Sequence, residues 1–537
     1  MSDCNAVLLD TVSIQNYIFQ SNKLKENLGA SHLVREIYRS YLVCALSTIT
    51  RRSYAEEYSH LNDWKTSIAE IPDCSKTVDV GYIGGGNALL FFQTESQAQK
   101  FIEAWTKLLL IHAPGLTTAV AYSRFSIAPA QFKENLKELF RQLEANKSRH
   151  CPITSLPRHG ITAECARSGI SVETYNKNIK AYVSANVNAR IEAAAESKDE
   201  IENEYRAHLQ GRYCFPDELD KLGGIEGEDS HIAIVHIDGN DIGQSFKAAE
   251  NLGAIRRLSV DVDETTRSAF KAVVQTSTEK YGKIMDSLGF DDHSHPKLEG
   301  KKILPIRPII LGGDDVTFVC DGKLGIYFAK LFIEKFQETK INGESLTASA
   351  GVAIIKTKYP FYRGYWLAEE LCASAKRKRK MNSDWGNASL LDFHISLGGV
   401  AGSLKDIRQR FYGRDESGGD KKTEIDLLYR PFKIASKDSL DEYDLGMFLE
   451  KARQLDDEKT GLPKSKQHEL REVLRLREDA RREYVKALEY RGRRLPEIKG
   501  RQYHKTLVEN NETPYFDMIE ILRFYPEFAL KEIGEPA

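Results

Sequence analysis

Two adjacent carboxylates at a glycine turn, Gly312-Gly313-Asp314-Asp315, are the residues of this sequence best placed to do chemistry. Apolar, β-rich runs flank them, Ile309-Ile310-Leu311 before and Val316-Thr317-Phe318-Val319 after, so the stretch reads as a hairpin with acids at its tip. A third acid, Asp238, ends the apolar run Ile232-Ala233-Ile234-Val235-His236-Ile237. Carboxylate oxygens suit Mg²⁺ or Mn²⁺, which need no His or Cys ligand. Two such ions bridged by Asp238 and Asp314, with Asp315 completing the set, would activate a hydroxyl and neutralise a triphosphate and its leaving pyrophosphate. Asp238, Asp314 and Asp315 are therefore the expected catalytic and metal-binding residues. A Gly-Gly-Asp-Asp turn by itself is ordinarily only a solvated turn, and the Asp-terminated strand upstream is what lends it weight.

The neighbouring residues read as nucleotide-binding. Gly312 and Gly313 let the backbone turn sharply and let substrate approach. After Asp238 the turn Gly239-Asn240-Asp241-Ile242-Gly243 leads into a helix whose free N–H groups suit phosphate, although Asp241 reads as an N-cap as readily as a ligand. Lys376 opens the basic run Lys376-Arg377-Lys378-Arg379-Lys380 and is expected to reach a triphosphate, with the rest of the run a solvated helix face.

A repeat supplies the elements that must hold these groups. The strand Ala6-Val7-Leu8-Leu9-Asp10 and its following helix match the design of Ile232 to Asp238, and each copy has a glycine hairpin downstream. Asp10 to Gly86 and Asp238 to Asp314 both span 76 residues. Each copy then offers a further strand, at 117–122 and 346–352. The expected fold class is α+β, with two ferredoxin-like palm domains joined by a helical linker and followed by a helical carboxy-terminal domain. Boundaries are expected at 1–129 for the first palm, 130–225 for the linker, 226–400 for the second palm and 401–537 for the last domain. The first hairpin, Gly84-Gly85-Gly86-Asn87, carries no carboxylate, so the first palm is expected to support the site and the second to catalyse. Helices are expected at 191–206, as one long charged helix over 470–494, and as a final amphipathic helix over 514–524, with a flexible stretch near 415–422.

Composition narrows the class. The chain of 537 residues is 41% hydrophobic with a formal charge of −2, which argues against a protein that coats nucleic acid non-specifically. No apolar run approaches the ~20 residues of a membrane span. Eight cysteines without dense spacing suggest a reducing compartment, so a cytoplasmic location without membrane attachment is expected.

At the residues above, the sequence resembles the large, cyclase-like subunit of type III CRISPR effector complexes (Csm/Cmr), which carries two palms. Asp238-Gly239-Asn240-Asp241-Ile242-Gly243 and Gly312-Gly313-Asp314-Asp315 are similar to its second palm. Ser13-Ile14-Gln15-Asn16-Tyr17-Ile18-Phe19 with Leu28-Gly29-Ala30-Ser31 is similar to its first, and Ser389-Leu390-Leu391-Asp392-Phe393-His394 to the segment closing the second. The resemblance implies conversion of ATP, or another NTP, to a cyclic oligoadenylate or related cyclic nucleotide in antiviral defence. It also implies RNA and effector subunits as partners; a homo-oligomer is compatible with the chemistry. The sequence opens at the first palm with no His-Asp cluster of the family's nuclease domain, so DNA cleavage is not expected. Zinc between the palms is a further family property; here His150, Cys151, His159 and Cys165 are the available ligands, loosely spaced for zinc. Two other readings stay open: a non-catalytic RNA-binding scaffold, supported by the Arg-rich segment 471–494, and a GTP-using cyclic dinucleotide synthase.

Overall fold

The structure, a computed structural model, describes residues 3–126, 128–149, 160–222, 230–290, 295–341, 343–396, 402–415, 424–435 and 441–533. Its chain forms two compact units. One comprises Met1–Arg206, Asp241–Arg267 and Ile309–Asp315; the other comprises Ala207–Asn240, Ser268–Pro308 and Val316–Ala537.

The first palm is a four-stranded antiparallel sheet of β1 (Cys4–Val12), β2 (Val78–Gly84), β3 (Asn87–Phe92) and β4 (Thr117–Phe125), in the order β2-β3-β1-β4. β1 is central, and its apolar residues Ala6, Val7, Leu8 and Leu9 are all fully buried, which fixes its register between β3 and β4. That register sets Asp10 directly opposite Asn87. Helices between β1 and β2, Leu24–Glu36 among them, and Glu95–His112 between β3 and β4 give the βαββαβ order, and the helix Pro129–Lys147 follows β4.

The second palm repeats this plan with β5 (His231–Gly239), β6 (Ile306–Gly312), β7 (Asp315–Asp321) and β8 (Ala348–Lys356), extended by β9 (Ser389–Ile395) and β10 (Phe432–Ile434). The order is β6-β7-β5-β8-β9-β10. Both palms expected from the sequence are thus present. The helix Phe361–Met381 lies close on β8: a Cβ at Gly351 would stand 2.0 Å from the Ala368 carbonyl oxygen. Only glycine permits that approach, and it sets the height at which the helix presents Lys376.

Several local expectations are corrected. The segment 470–494 is not one helix but two, Lys464–Val473 and Glu478–Tyr490. Its apolar residues do not share one face over the whole length, and turning the chain buries Leu470 and Leu474 together with Tyr484, Val485 and Leu488. The Tyr484 hydroxyl donates to the Lys466 carbonyl at 2.9 Å across the turn. The helix Tyr515–Phe524 is not the last, since Glu527–Glu532 follows Pro526, and it is buried on several faces, Asp517 and Glu520 included. The helix expected at 191–206 runs over Ala185–Glu204. Of the stretch near 415–422, all but residue 415 lies outside the described residues. Cys4 and Cys74, read as thiols, are joined in a disulfide with Cα atoms 5.4 Å apart. No helix among the described residues is long and apolar enough to cross a membrane.

A buried charge cluster ties the carboxy-terminal helices to the palm sheet. Arg430 is fully buried, 3.1 Å from Asp517 and 2.5 Å from Glu520, and it donates to the Phe393 carbonyl of β9 at 2.7 Å. Asp517 also accepts the backbone N–H groups of Tyr429 and Arg430. Burial, with Glu520's charge, pushes Asp517 up to about 7 against the opposing pull of Arg430. A carboxyl raised above its unfolded value loses stability as pH rises through the folded value. Arg430→Met is therefore expected to cost about 3–5 kcal/mol at pH 8, above the Asp517 value, and less at pH 5, where Asp517 is protonated. Urea midpoints at the two pH values measure it; an equal cost at both would show that Asp517 stays ionised.

Candidate functional site

Asp238 ends β5 with its side chain 38% exposed and paired to Lys376 Nζ at 2.7 Å. Two residues earlier on the same strand face, His236 is buried. It shares a 3.2 Å hydrogen bond with the Thr317 hydroxyl and meets the Tyr365 ring edge-on. Burial pushes its pKa down despite Asp238, so the ring beneath the acid is held neutral.

The turn after Asp238 divides its labour. Asn240 is buried and its side chain is engaged in packing: it donates to the Thr347 hydroxyl at 3.1 Å and to the Ala388 carbonyl at 3.4 Å, and accepts from the Ser349 hydroxyl at 2.9 Å. This clamps the end of β5 beside β8 and β9. Asp241 stands at the N-cap position of the helix Ile242–Ala248 but in the left-handed region, φ 58°, and its side chain makes no capping bond. A Cβ on Gly243 would meet open space, as would one on Gly312.

The acidic hairpin turns tightly through Gly313 and Asp314, with Gly313 at φ +59° and Asp315 opening β7. Gln15 Nε2 donates to Asp315 Oδ2 at 3.0 Å. Thr266 Oγ1 donates to the Gly313 carbonyl at 2.6 Å, and Ser31 Oγ to that of Ile309 at 2.5 Å. The acid-free hairpin abuts it: a Cβ on Gly313 would lie 3.2 Å from the Gly85 Cα. Both glycine tips, 84–86 and 312–313, and Asp315 line one cavity of about 870 Å³ within the first unit. That volume falls in the range of small-molecule sites. Its charged walls are partly self-paired, Arg39 with Glu200 at 2.8 Å and Arg267 with Glu204 and Asp263 at 2.6 and 2.9 Å. Exposed Lys65 lies over the Trp64 ring at 6.0 Å on the same wall.

The first palm offers a counterpart that the sequence reading missed. Asp10, two residues before the end of β1, is paired to Lys147 Nζ at 2.7 Å. Burial raises the Asp10 pKa, and the hydrogen bond and charge of Lys147 oppose the rise. Each palm therefore carries, near the end of its central strand, an Asp held by a Lys from the helix after its fourth strand. The signal lay in the sequence, since Asp10 to Lys147 and Asp238 to Lys376 are almost equally separated.

Of the candidate zinc ligands, His150, Cys151 and His159 lie outside the described residues. Cys165 is buried against Val183 and Val187. Burial pushes its thiol up, and the outweighing hydrogen bonds of Ser168, Ser184 and Arg167 bring it to about 7. Among the described residues one set, His32, Glu36 and Glu200, has metal-compatible spacing. Arg39 and Arg35 already face Glu200, whose pKa falls to about 2 chiefly through the His32 hydrogen bond, so cations of the chain itself satisfy that cluster.

Residues 231–383 match the family model of the second palm domain of Cas10/Cmr2. The second palm is thus similar to that of Cas10/Cmr2. Over the whole fold the chain is similar to a chain of the Csm1–Csm4 cassette in complex with pppApApA, with TM-score 0.51 and 14% identity over 97% of this chain and 69% of that one. It is similar also to the cassette in complex with cA4, at TM-score 0.50 and 15% identity, and to the Csm1–Csm4 subcomplex of the type III-A CRISPR-Csm interference complex, at TM-score 0.50 and 15% identity. Both cover 97% of this chain and 69% of the other. At such identity the likeness is one of fold. No curated protein matches the chain. This palm holds Asp238, Asp314, Asp315 and Lys376 within its matched residues, and the chain resembles a Cas10-like large subunit.

Removing the lysine of the first palm tests the ion-pair reading. In Lys147→Met, Asp10 keeps its burial and loses its cation, so its folded pKa rises further above the unfolded value. Stability contributed by such a group is lost as pH rises. The variant is expected to lose about 1–3 kcal/mol at pH 7 and little at pH 4, read from urea midpoints. A pH-independent loss would mean that Lys147 acts by packing alone.

Proposed function

We propose that the chain is a metal-dependent nucleotidyltransferase that joins ATP into a cyclic oligoadenylate, with chemistry at the second palm only. The observation that carries this is an asymmetry between like sites. Both palms keep the strand-end Asp and its Lys, yet only the second hairpin adds carboxylates, Asp314 and Asp315. Asp238, Asp314 and Asp315 offer carboxylate oxygens, the donor type suited to Mg²⁺ or Mn²⁺. Such ions, when bound, supply charge to activate a ribose hydroxyl and to stabilise leaving pyrophosphate.

The chain's own groups do the rest. Lys376 neutralises Asp238 in the resting site, and its flexible stem lets the ammonium move to a triphosphate oxygen. Gly312 and Gly313 leave the hairpin backbone open to nucleotide, and the cavity they line admits a nucleotide-sized molecule. Gly239 and Asp241 shape the turn that follows Asp238, while Asn240 holds that turn to the sheet. Adenine is favoured by the fold neighbours, crystallised with pppApApA, cA4 and ATP. A Csm4-like subunit is the partner that the same neighbours favour. Incubation with single and mixed NTPs and Mg²⁺ or Mn²⁺, resolved by mass spectrometry, is expected to yield cyclic products from ATP. Asp314→Asn with Asp315→Asn should lower the rate at least about 100-fold, a loss of about 3 kcal/mol of transition-state stabilisation. Activity surviving that double substitution would refute the site.

A second reading, an RNA-binding role, is favoured by the surface around Glu478–Tyr490. Arg491, next to Tyr490, and Arg494 are exposed there, and Tyr490 itself is 94% exposed. Cationic and aromatic groups together suit single-stranded nucleic acid. Binding of a single-stranded RNA that weakens steeply between about 50 and 200 mM salt, and weakens again in Tyr490→Ala, is expected on this reading. Salt-insensitive or undetectable binding argues against it.

A further inference from the structure

The first palm does more than resemble the second. The short helix Ile14–Ile18, which follows β1, sends one side chain to the acidic hairpin: Gln15 Nε2 donates to Asp315 Oδ2 at 3.0 Å. The chain enters this helix through Ser13 in the left-handed region, φ 54°, which turns Gln15 away from the strand direction. Ile14, its neighbour, fills the space over the first hairpin, with Cδ1 2.2 Å from where a Cβ on Gly86 would stand. Gly86 takes the left-handed region at φ +77°, which favours glycine, and the same helix is seated on one hairpin while it bonds to the other. Thr266 and Ser31 hold the acidic hairpin's backbone at Gly313 and Ile309. The backbone is thus fixed from two sides, and Gln15 acts on the carboxylate itself.

We propose that Gln15 is a positioning residue for Asp315: it fixes the rotamer of that carboxylate for metal without spending its charge. The chemistry favours an amide for this role. A lysine or arginine at position 15 would donate as well, but its positive charge would compete with a divalent cation. An amide N–H orients one oxygen and leaves the carboxylate anionic, as partners of metal-binding carboxylates commonly do.

The repeat shows that the arrangement runs in one direction. Asp10 and Asp238 are separated in sequence by the same distance as Gly86 and Asp314, and on that offset Gln15 corresponds to Gly243 and Asp315 to Asn87. The reciprocal pair has neither the donor nor the acid. A Cβ on Gly243 would meet nothing within 4 Å, so no side chain from that position is returned to the first hairpin. Donor and acid occur together only where the acid is proposed to work.

This inference rests on the reading of Asp315 as a metal ligand, and the test separates the two. Mn²⁺ binding is measured by the loss of the free-ion electron paramagnetic resonance signal, in the full chain with a non-hydrolysable ATP analogue. Wild type is compared with Gln15→Met, which keeps length and packing without the N–H, and with Asp315→Asn. Gln15→Met is expected to weaken Mn²⁺ about tenfold with the number of sites unchanged. A merely structural role would lower the number of binding-competent molecules and leave affinity as it was, and that result overturns the proposal. Unchanged affinity in Gln15→Met alongside a loss in Asp315→Asn overturns the positioning role alone. Unchanged binding in Asp315→Asn overturns the metal reading, and the role of Gln15 with it.

Discussion

A carboxylate near the end of a central β-strand must be neutralised or solvated, and both palms are organised around that constraint. The strand is buried along its length, so a residue near its end emerges where water is limited and desolvation opposes charge. In the first palm Lys147 meets Asp10 and the matter is closed: the acid is 15% exposed and faces a residue, Asn87, that brings no further charge. In the second palm Lys376 meets an Asp238 that is 38% exposed. One lysine suffices where there is one acid. The hairpin of that palm adds two more carboxylates, Asp314 and Asp315, where the first hairpin has none. The two palms thus differ in the charge carried by their hairpins.

The hairpin turns follow from the same comparison. Gly85 and Gly86 both take left-handed backbone, whereas in the acidic hairpin only Gly313 does and Asp314 does not. An Asp at the second turn position is therefore accommodated without backbone strain, while the first hairpin keeps glycine there because its backbone is left-handed at φ +77°.

Much of this was legible in the sequence. Apolar strands ending in Asp, glycine pairs at fixed spacing and the returning strands specify two palms, because strand burial and turn chemistry are local properties. What stayed hidden depends on contacts distant in sequence. Lys147 reads as one lysine among many on an amphipathic helix until β1 is set beside β4 and the helix is laid across them. Phe432–Ile434, too short to read as a strand, becomes one by pairing with β9. The break after Val473 has no glycine or proline to announce it, and the two helices that result each bury apolar residues, Leu470 and Val473 on one and Tyr484, Val485 and Leu488 on the other. Arg430, Asp517 and Glu520 look like ordinary surface charges in sequence, yet all three are buried, since each finds the others' charge and backbone groups in place.

Loss of carboxylates from one hairpin does not make its palm expendable, and the geometry says why it persists. β1 must be buried to hold Asp10 near its end, the helix after β1 must leave in a left-handed turn to aim Gln15, and Ile14 must rest on a glycine hairpin to seat that helix. Each step needs an intact palm fold, though none needs a metal there. The first palm is tied to the acidic hairpin, which packs against its glycines and receives its glutamine. Preorganisation of a metal-binding carboxylate by a rigid neighbouring element is worth more than the same hydrogen bond from a loop, since less entropy remains to be lost when the ion arrives.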